Sequence, residues 1–288
     1  MGYSDWSDVA YRRVTTARAG AVEKEIFRDS RNIDPLMDPR RIQAREARDS
    51  EHHPRSVPII VAFDVTASMG HIPTRFATEL LGRLMRMLVE NGWVEDPQIL
   101  FAAIGDAVSD RAPLQVGQFE SGLEMDMWLT RLWIEGQGGD VPESYTLAHW
   151  FAAHHTATDA WEKRGEKGWL FTIGDACNKP LRPSHVQRVF GYRPDAPVDD
   201  ASVIAAADER YHLCHFLVSQ PGAVVAGELR HWRERLGERV HHLPEVDRIC
   251  DVMGVKIGRQ QGRLTAPDAT QILVERGLTA KQAAEIAR

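Results

Sequence analysis

The chain is predicted to be an α/β protein: a doubly wound, mostly parallel central sheet with one antiparallel edge strand and helices on both faces. Short uncharged runs, Val57-Pro58-Ile59-Ile60-Val61-Ala62-Phe63 and Gly168 to Gly174 among them, alternate with longer segments of helical apolar spacing. Alternation of that kind builds a parallel sheet. The runs show no polar alternation, so both of their faces must be covered. Each of these two runs also ends in a carboxylate, Asp64 and Asp175. In an open parallel sheet such ends lie along one edge, where ligands are held.

The 288 residues suit one large domain with extensions or two small ones, and 43% apolar with 26% charged residues is enough for a sizeable core. A net charge of −6 argues against nucleic acid as the main partner, because that binding rests on basic surface. The start, Met-Gly-Tyr-Ser-Asp-Trp, lacks the apolar stretch of a signal peptide, and no apolar run is long enough to span a bilayer. Cys177, Cys214 and Cys250 are far apart and odd in number, with neither a disulfide framework nor zinc spacing. The expected location is the cytoplasm, with no membrane partner.

Residues 1–56 form a polar leader of mixed charge, read as an arm over the main domain, in which Trp6 anchors the leader either to this domain or to a partner. Within it Ala10 to Ile26 reads as a helix and Asn32 to Pro39 as an irregular loop. Residues 57–245 carry the α/β pattern. After the first strand, Pro73 opens a helix in which Phe76, Leu80, Leu84 and Leu88 share a face, and Asn91-Gly92 stops it. Gln98 to Gly105 is the second strand, with Leu114 to Val116 as its antiparallel edge partner. Leu123 to Leu132 is helical, and a Gly136-to-Gly139 loop leads into a helix from Pro142 to about His155. Gly168 to Gly174, Tyr211 to Ser219 and Val240 to Leu243 are further strands. Helices at Pro183 to Phe190, in the Ala-rich segment before Arg210, and at Ala223 to Leu236 separate them. Residues 246–288 are a helical tail, with helices at Ala266 to Glu275 and Thr279 to Ala287. The six tryptophans at 128, 133, 150, 161, 169 and 232 pack helices against the sheet.

The chemistry concentrates at Asp64-Val65-Thr66-Ala67-Ser68. A carboxylate and two hydroxyls at every second position can converge on one point, and all three are hard oxygens suited to Mg²⁺ rather than zinc. Asp140, after the glycine loop, and Asp175 fall at equivalent strand-end positions. Three alternatives stay open. Asp64, Thr66 and Ser68 also suit a helix-capping turn, Asp140 also suits the cap of the helix starting at Pro142, and Glu143 reads as a first-turn helix acid. The pairs His52-His53, His154-His155 and His241-His242 lack zinc-site spacing, and His215 and Cys214 point to opposite faces of their strand.

With these residues in place, the chain resembles the von Willebrand factor type A (vWA) domains of bacterial intracellular proteins and their metal-ion-dependent adhesion site (MIDAS). Asp64-x-Thr66-x-Ser68, with Met69-Gly70 after it, is similar to the family's first motif. Gly138-Gly139-Asp140-x-Pro142-Glu143 is similar to a variant second loop, and Thr172-Ile173-Gly174-Asp175 to the third. The resemblance covers roughly Val57 to Leu243. It implies a non-catalytic protein-interaction module with a site of Asp64, Thr66, Ser68, Asp140 and Asp175 around Mg²⁺ (or Mn²⁺ or Ca²⁺). A partner's Asp or Glu would complete the coordination, and a AAA+ ATPase is one partner the family suggests. Asp140 departs from the Thr usual in adhesive members, so it acts through water, or the site holds metal more tightly and partners less well. The competing reading is a Mg-dependent phosphohydrolase of haloacid dehalogenase type with Asp64 as nucleophile. Against it, a helix follows Asp64 almost at once, and Lys179 comes after Asp175 rather than before it.

Overall fold

The computed structural model describes residues 5–18, 20–27, 31–66, 69, 71–136, 142–219 and 224–288. Its central sheet has six strands in the order β4-β3-β2-β6-β7-β8. They are β2 (Ser56–Asp64), β3 (Asp96–Ile104), β4 (Leu114–Val116), β6 (Gly168–Gly174), β7 (Tyr211–Leu217) and β8 (Val240–His242). All neighbours pair parallel except β3 and β4, so the expected antiparallel edge strand is present at its expected residues.

The apolar run around residue 60 forms a strand buried along its whole length because both of its faces carry core. Ile59, Val61 and Phe63 enter one cluster with Phe101, Phe171 and Phe216, beneath the helix Arg248–Gln260. Ile60 and Ala62 enter the opposite cluster with Leu100 and Leu170, beneath the helices Thr146–His154, Pro183–Phe190, Asp200–Arg210 and Ala226–Leu236. A period-two pattern has simply been divided between two apolar faces.

The helix after β2 runs over residues 71–90, with Pro73 in its first turn. Its four-residue apolar spacing has a geometric consequence. Four residues of regular α-helix overshoot a turn by about 40°, so Phe76, Leu80, Leu84 and Leu88 would drift off one face. Two stretches of wider i→i+5 turns, Phe76–Leu80 and Arg86–Glu90, absorb the drift. All four side chains are buried.

Four expectations need correction. Ala10 to Ile26 is two helices, Asp8–Ala17 and Glu23–Ile26, separated where Gly20 takes φ +82°. The helix expected from Pro142 starts at Thr146, because residues 143–144 are drawn into hydrogen bonds with the loop after β6 and with Gly105. Glu143 is therefore not a first-turn acid. The leader also contributes a strand: β1 (Arg45–Ala47) pairs parallel with β5 (Thr156–Thr158) in a separate two-stranded sheet.

Ion pairs lock that leader strand. Arg48 donates to Asp159 Oδ1 at 2.9 Å, the Asp49 N–H donates to Asp159 Oδ2 at 2.9 Å, and Arg164 donates to Asp49 and to the Ser56 carbonyl. Earlier in the leader, the Trp6 and Tyr11 rings pack 5.0 Å apart and Tyr11 OH donates to the Phe76 carbonyl at 3.2 Å. Among the described residues no helix is long and apolar enough to cross a membrane.

Candidate metal centre

The sheet order fixes where a site can form. From β2 the chain crosses to β3 on one side, and later returns to β6 on the other. The carboxyl ends of β2 and β6 therefore flank the topological switch point, the crevice where doubly wound sheets hold ligands. Asp64 is the last residue of β2, and Asp175 directly follows the last residue of β6.

Asp64 is fully buried, and both of its oxygens accept. Oδ1 receives the Thr66 N–H at 2.7 Å and the Thr66 hydroxyl at 2.6 Å, and Oδ2 receives the Tyr145 hydroxyl at 2.8 Å. Burial pushes its carboxyl up to about 6 against the pull of these donors, and the nearby Asp175 charge adds to the rise. Asp175 is half-buried, and among the described residues it makes no hydrogen bond or ion pair. The structure thus joins Asp64 to Thr66 directly and brings the Asp175 charge within influence of both Asp64 and Tyr145. Ser68 and Asp140, the other two expected ligands, lie outside the described residues.

These groups fit a hard cation in chemistry. Two carboxylates and a hydroxyl share the crevice, and neither Asp64 nor Asp175 has a basic partner among the described residues. Asp64 is the more committed of the two, since three protein donors already occupy it, and its remaining lone pair suits a water-mediated contact. No group of three or more His, Cys, Asp or Glu side chains among the described residues is arranged to hold a metal ion. Among the described residues, Asp64, Thr66 and Asp175 are the groups a cation here could draw on.

Two functional neighbours escaped the sequence reading. Tyr145, fully buried just before the helix Thr146–His154, reaches under the β6 end to Asp64. Its path exists because residue 174 is glycine: a Cβ there would sit 1.9 Å from the phenol oxygen. The Ala176 N–H donates to the same oxygen at 3.4 Å, so one hydroxyl links the loops after β2 and β6. Nothing in the sequence marks a tyrosine for this task.

Asp106 was legible, since Gly105-Asp106 closes an apolar strand as Gly174-Asp175 does. It is fully buried and saturated, accepting from Val108 N, from Ser109 N and Oγ, and from Lys179 Nζ at 2.8 Å. Burial works against its charge, but the Lys179 ammonium and the Ser109 hydroxyl hold its carboxyl below the usual range. Asp106 is a structural anchor of the same crest. Beside it, Glu143 is buried, and its Oε2 has no hydrogen-bond partner among the described residues. Burial first, then the charges of Asp64, Asp110 and Asp106, push it up to about 8.

No protein-family model and no curated protein matches the chain. Among solved structures it is similar to the pilus adhesin SpaC from Lactobacillus rhamnosus GG, at 10% identity and TM-score 0.46, over 75% of this chain and 31% of that one. It is also similar to a von Willebrand factor type A protein from Catenulispora acidiphila, at 10% identity and TM-score 0.41, over 72% of this chain and 43% of that one. BatB from Bacteroides thetaiotaomicron is similar at 13% identity and TM-score 0.43, over 72% of this chain and 99% of that one. The chain thus spans about a third of the adhesin's length and under half of the Catenulispora protein's.

Proposed function

We propose that the chain is a non-catalytic protein-interaction module of vWA type, whose crevice between β2 and β6 takes a divalent cation and, through it, a partner's carboxylate. One observation carries the reading: a buried Asp64 that accepts from three donors, beside a half-buried Asp175 at the switch point, with no basic side chain paired to either among the described residues. Asp64 orients the Thr66 hydroxyl, and Asp175 supplies free oxygens. A bound Mg²⁺ would supply an electrophilic position for an incoming Asp or Glu. Asp140 and Ser68 belong to the proposed ligand set.

The phosphohydrolase reading is not favoured. Lys179 pairs with Asp106 at 2.8 Å rather than with Asp64, and the helix at residues 71–90 follows the Asp64 loop at once.

The test is thermal unfolding of the full chain with Mg²⁺ or Mn²⁺ against EDTA, for wild type and for Thr66→Ala with Ser68→Ala. A metal-dependent rise in Tm that the double variant loses supports the reading. Affinity capture of protein partners with Mg²⁺, reversed by EDTA, extends it to function. Absence of any metal response in the wild type defeats it. So does turnover of an aryl phosphate that Asp64→Asn abolishes.

A further inference from the structure

A second concave feature has a lining that includes none of Asp64, Thr66 and Asp175. It is a cleft of about 240 Å³ with an apolar floor that includes Leu114 and Val189, and three arginines stand around it: Arg40, Arg111 and Arg188. They come from three separate places, the short turn Pro39–Arg41, the loop between β3 and β4, and the helix Pro183–Phe190.

Each guanidinium is fixed by neutral acceptors. Arg40 Nε donates to the Arg188 carbonyl at 2.9 Å. Arg188 donates to the carbonyls of Ala107, Val108 and Asp110. Arg111 Nη2 donates to Asn32 Oδ1 at 3.1 Å, and its guanidinium lies 5.6 Å from the Trp133 ring centroid. None of the three makes an ion pair among the described residues. Asp38 is the one acid among the described lining residues, and its Oδ1 is occupied by the Arg40 backbone N–H. Glu135 is close by, but it binds the backbone N–H groups of Arg111 and Ala112.

Carbonyl and amide oxygens hold a guanidinium in place without cancelling its charge. The cleft thus gathers three guanidinium charges against one lining carboxylate, Asp38, so its lining stays net positive in a molecule that carries net negative charge overall. An anion entering it would meet that excess positive charge, and the three carbonyls that hold Arg188 have already met the ordering cost of that side chain. Arg40 and Arg111 are the outer pair and retain N–H groups that donate to nothing among the described residues. Planar forks of this kind match the oxygens of a phosphate group in pairs. The size of the cleft suits a phosphate with a few carbons rather than a larger ligand.

We propose that this cleft is a binding site for inorganic phosphate or a small phosphate monoester, gripped by Arg40 and Arg111, with Arg188 supplying charge and holding the wall. The proposal is independent of the metal-centre reading.

The experiment is isothermal titration of the full chain at low ionic strength, with EDTA present so that no cation can report for phosphate. Inorganic phosphate and phenyl phosphate are the probes, and chloride is the control. One phosphate per chain is expected, weakened by about tenfold in Arg111→Gln and in Arg40→Gln, with Arg111→Lys intermediate because it keeps charge but loses the fork. Tighter binding of phenyl phosphate identifies an ester site, and tighter binding of phosphate identifies a free-anion site. Arg111 is exposed and makes one side-chain hydrogen bond, so a matching Tm for its variant shows that the fold is retained. No saturable binding to wild type overturns the proposal, as does a response equal to that of chloride. Unchanged affinity in a folded Arg40→Gln, Arg111→Gln double variant also overturns it.

Discussion

The Tyr145 hydroxyl donates to Asp64 Oδ2 at 2.8 Å, through a gap that only a glycine at 174 leaves open. A fully buried carboxylate thus owes one of its three donors to a side chain 81 positions away. Tyr145→Phe should keep the fold and cost about 1–2 kcal/mol, the usual loss when a buried acceptor goes short of a donor. Urea unfolding at pH 7 measures it, and an unchanged midpoint would refute the role.

Gly174→Ala tests the same relationship from the other side. Its new Cβ would lie 1.9 Å from the phenol oxygen and 2.4 Å from two ring carbons. The ring cannot retreat, since it packs edge-on against both His215 and Trp232. A loss of about 3 kcal/mol is expected, larger than for Tyr145→Phe. The reverse order of midpoints in urea would show that the ring has room to move.

Glu143 should make the wild type less stable as pH rises. Its folded carboxyl is pushed up to about 8 by burial and neighbouring acids, while the unfolded chain titrates near the ordinary 4.5. A raised pKa gives a contribution that is full below 4.5 and disappears as pH climbs through 8. Glu143→Gln removes the titration while keeping the shape of the neutral acid. The variant should gain up to about 4 kcal/mol over wild type near pH 7.5 and little at pH 4.5. Parallel stability curves for the two proteins would rule this out.

Two buried histidines act in the opposite direction. Burial pushes His241 down to about 3 and His149 down to about 4, against 6.5 in the unfolded chain. Below 6.5 the unfolded state takes up protons that the folded state refuses, so stability falls until the folded values are reached. Each contributes a slope of up to about 1.4 kcal/mol per pH unit in that window. Guanidinium unfolding at pH 6, 5 and 4 should show a visibly shallower decline in His241→Gln than in wild type. Equal declines would place the acid sensitivity elsewhere.

Asp251 holds the tail to the domain. It is fully buried in the helix Arg248–Gln260 and pairs with Arg83 at 2.6 Å, with Arg276 at 3.9 Å and Arg248 at 4.0 Å. Asp251→Ala removes the buried acceptor of the Arg83 hydrogen bond, and because the arginines reach solvent it should cost about 2 kcal/mol. Early trypsin cleavage after Arg276 should accompany the loss, and a tail that resists cleavage as in wild type would count against the assignment.

The central strands were legible because burial on both faces leaves an uncharged run with sharp ends. β6 spans Gly168–Gly174 as read, and the β4 edge falls on Leu114–Val116. The carboxylates at those ends were legible for the same reason. What escaped is what distant residues decide. β1 and β5 are three residues each and pair across more than a hundred positions, so neither carries a periodic signal. Tyr145 reads as one more aromatic before a helix, and its meaning depends on an absent Cβ across the sheet. Glu143 was misread because helix-start rules cannot see a loop that captures the residues ahead of the helix.

The leader's seam has a consequence for how the molecule assembles. Arg45 to Ala47 register with Thr156 to Thr158, and Arg48 meets Asp159 across 111 positions. Closing so long a span costs chain entropy before any contact returns it. The adjacent pairing of β2 with β3 involves far shorter loops. Refolding should therefore pass through a species in which the β2–β3 pair is protected while the leader is still open. Pulsed hydrogen exchange would see it as late protection at Arg45 and Asp49, after Ile60 and Leu100 are already slow.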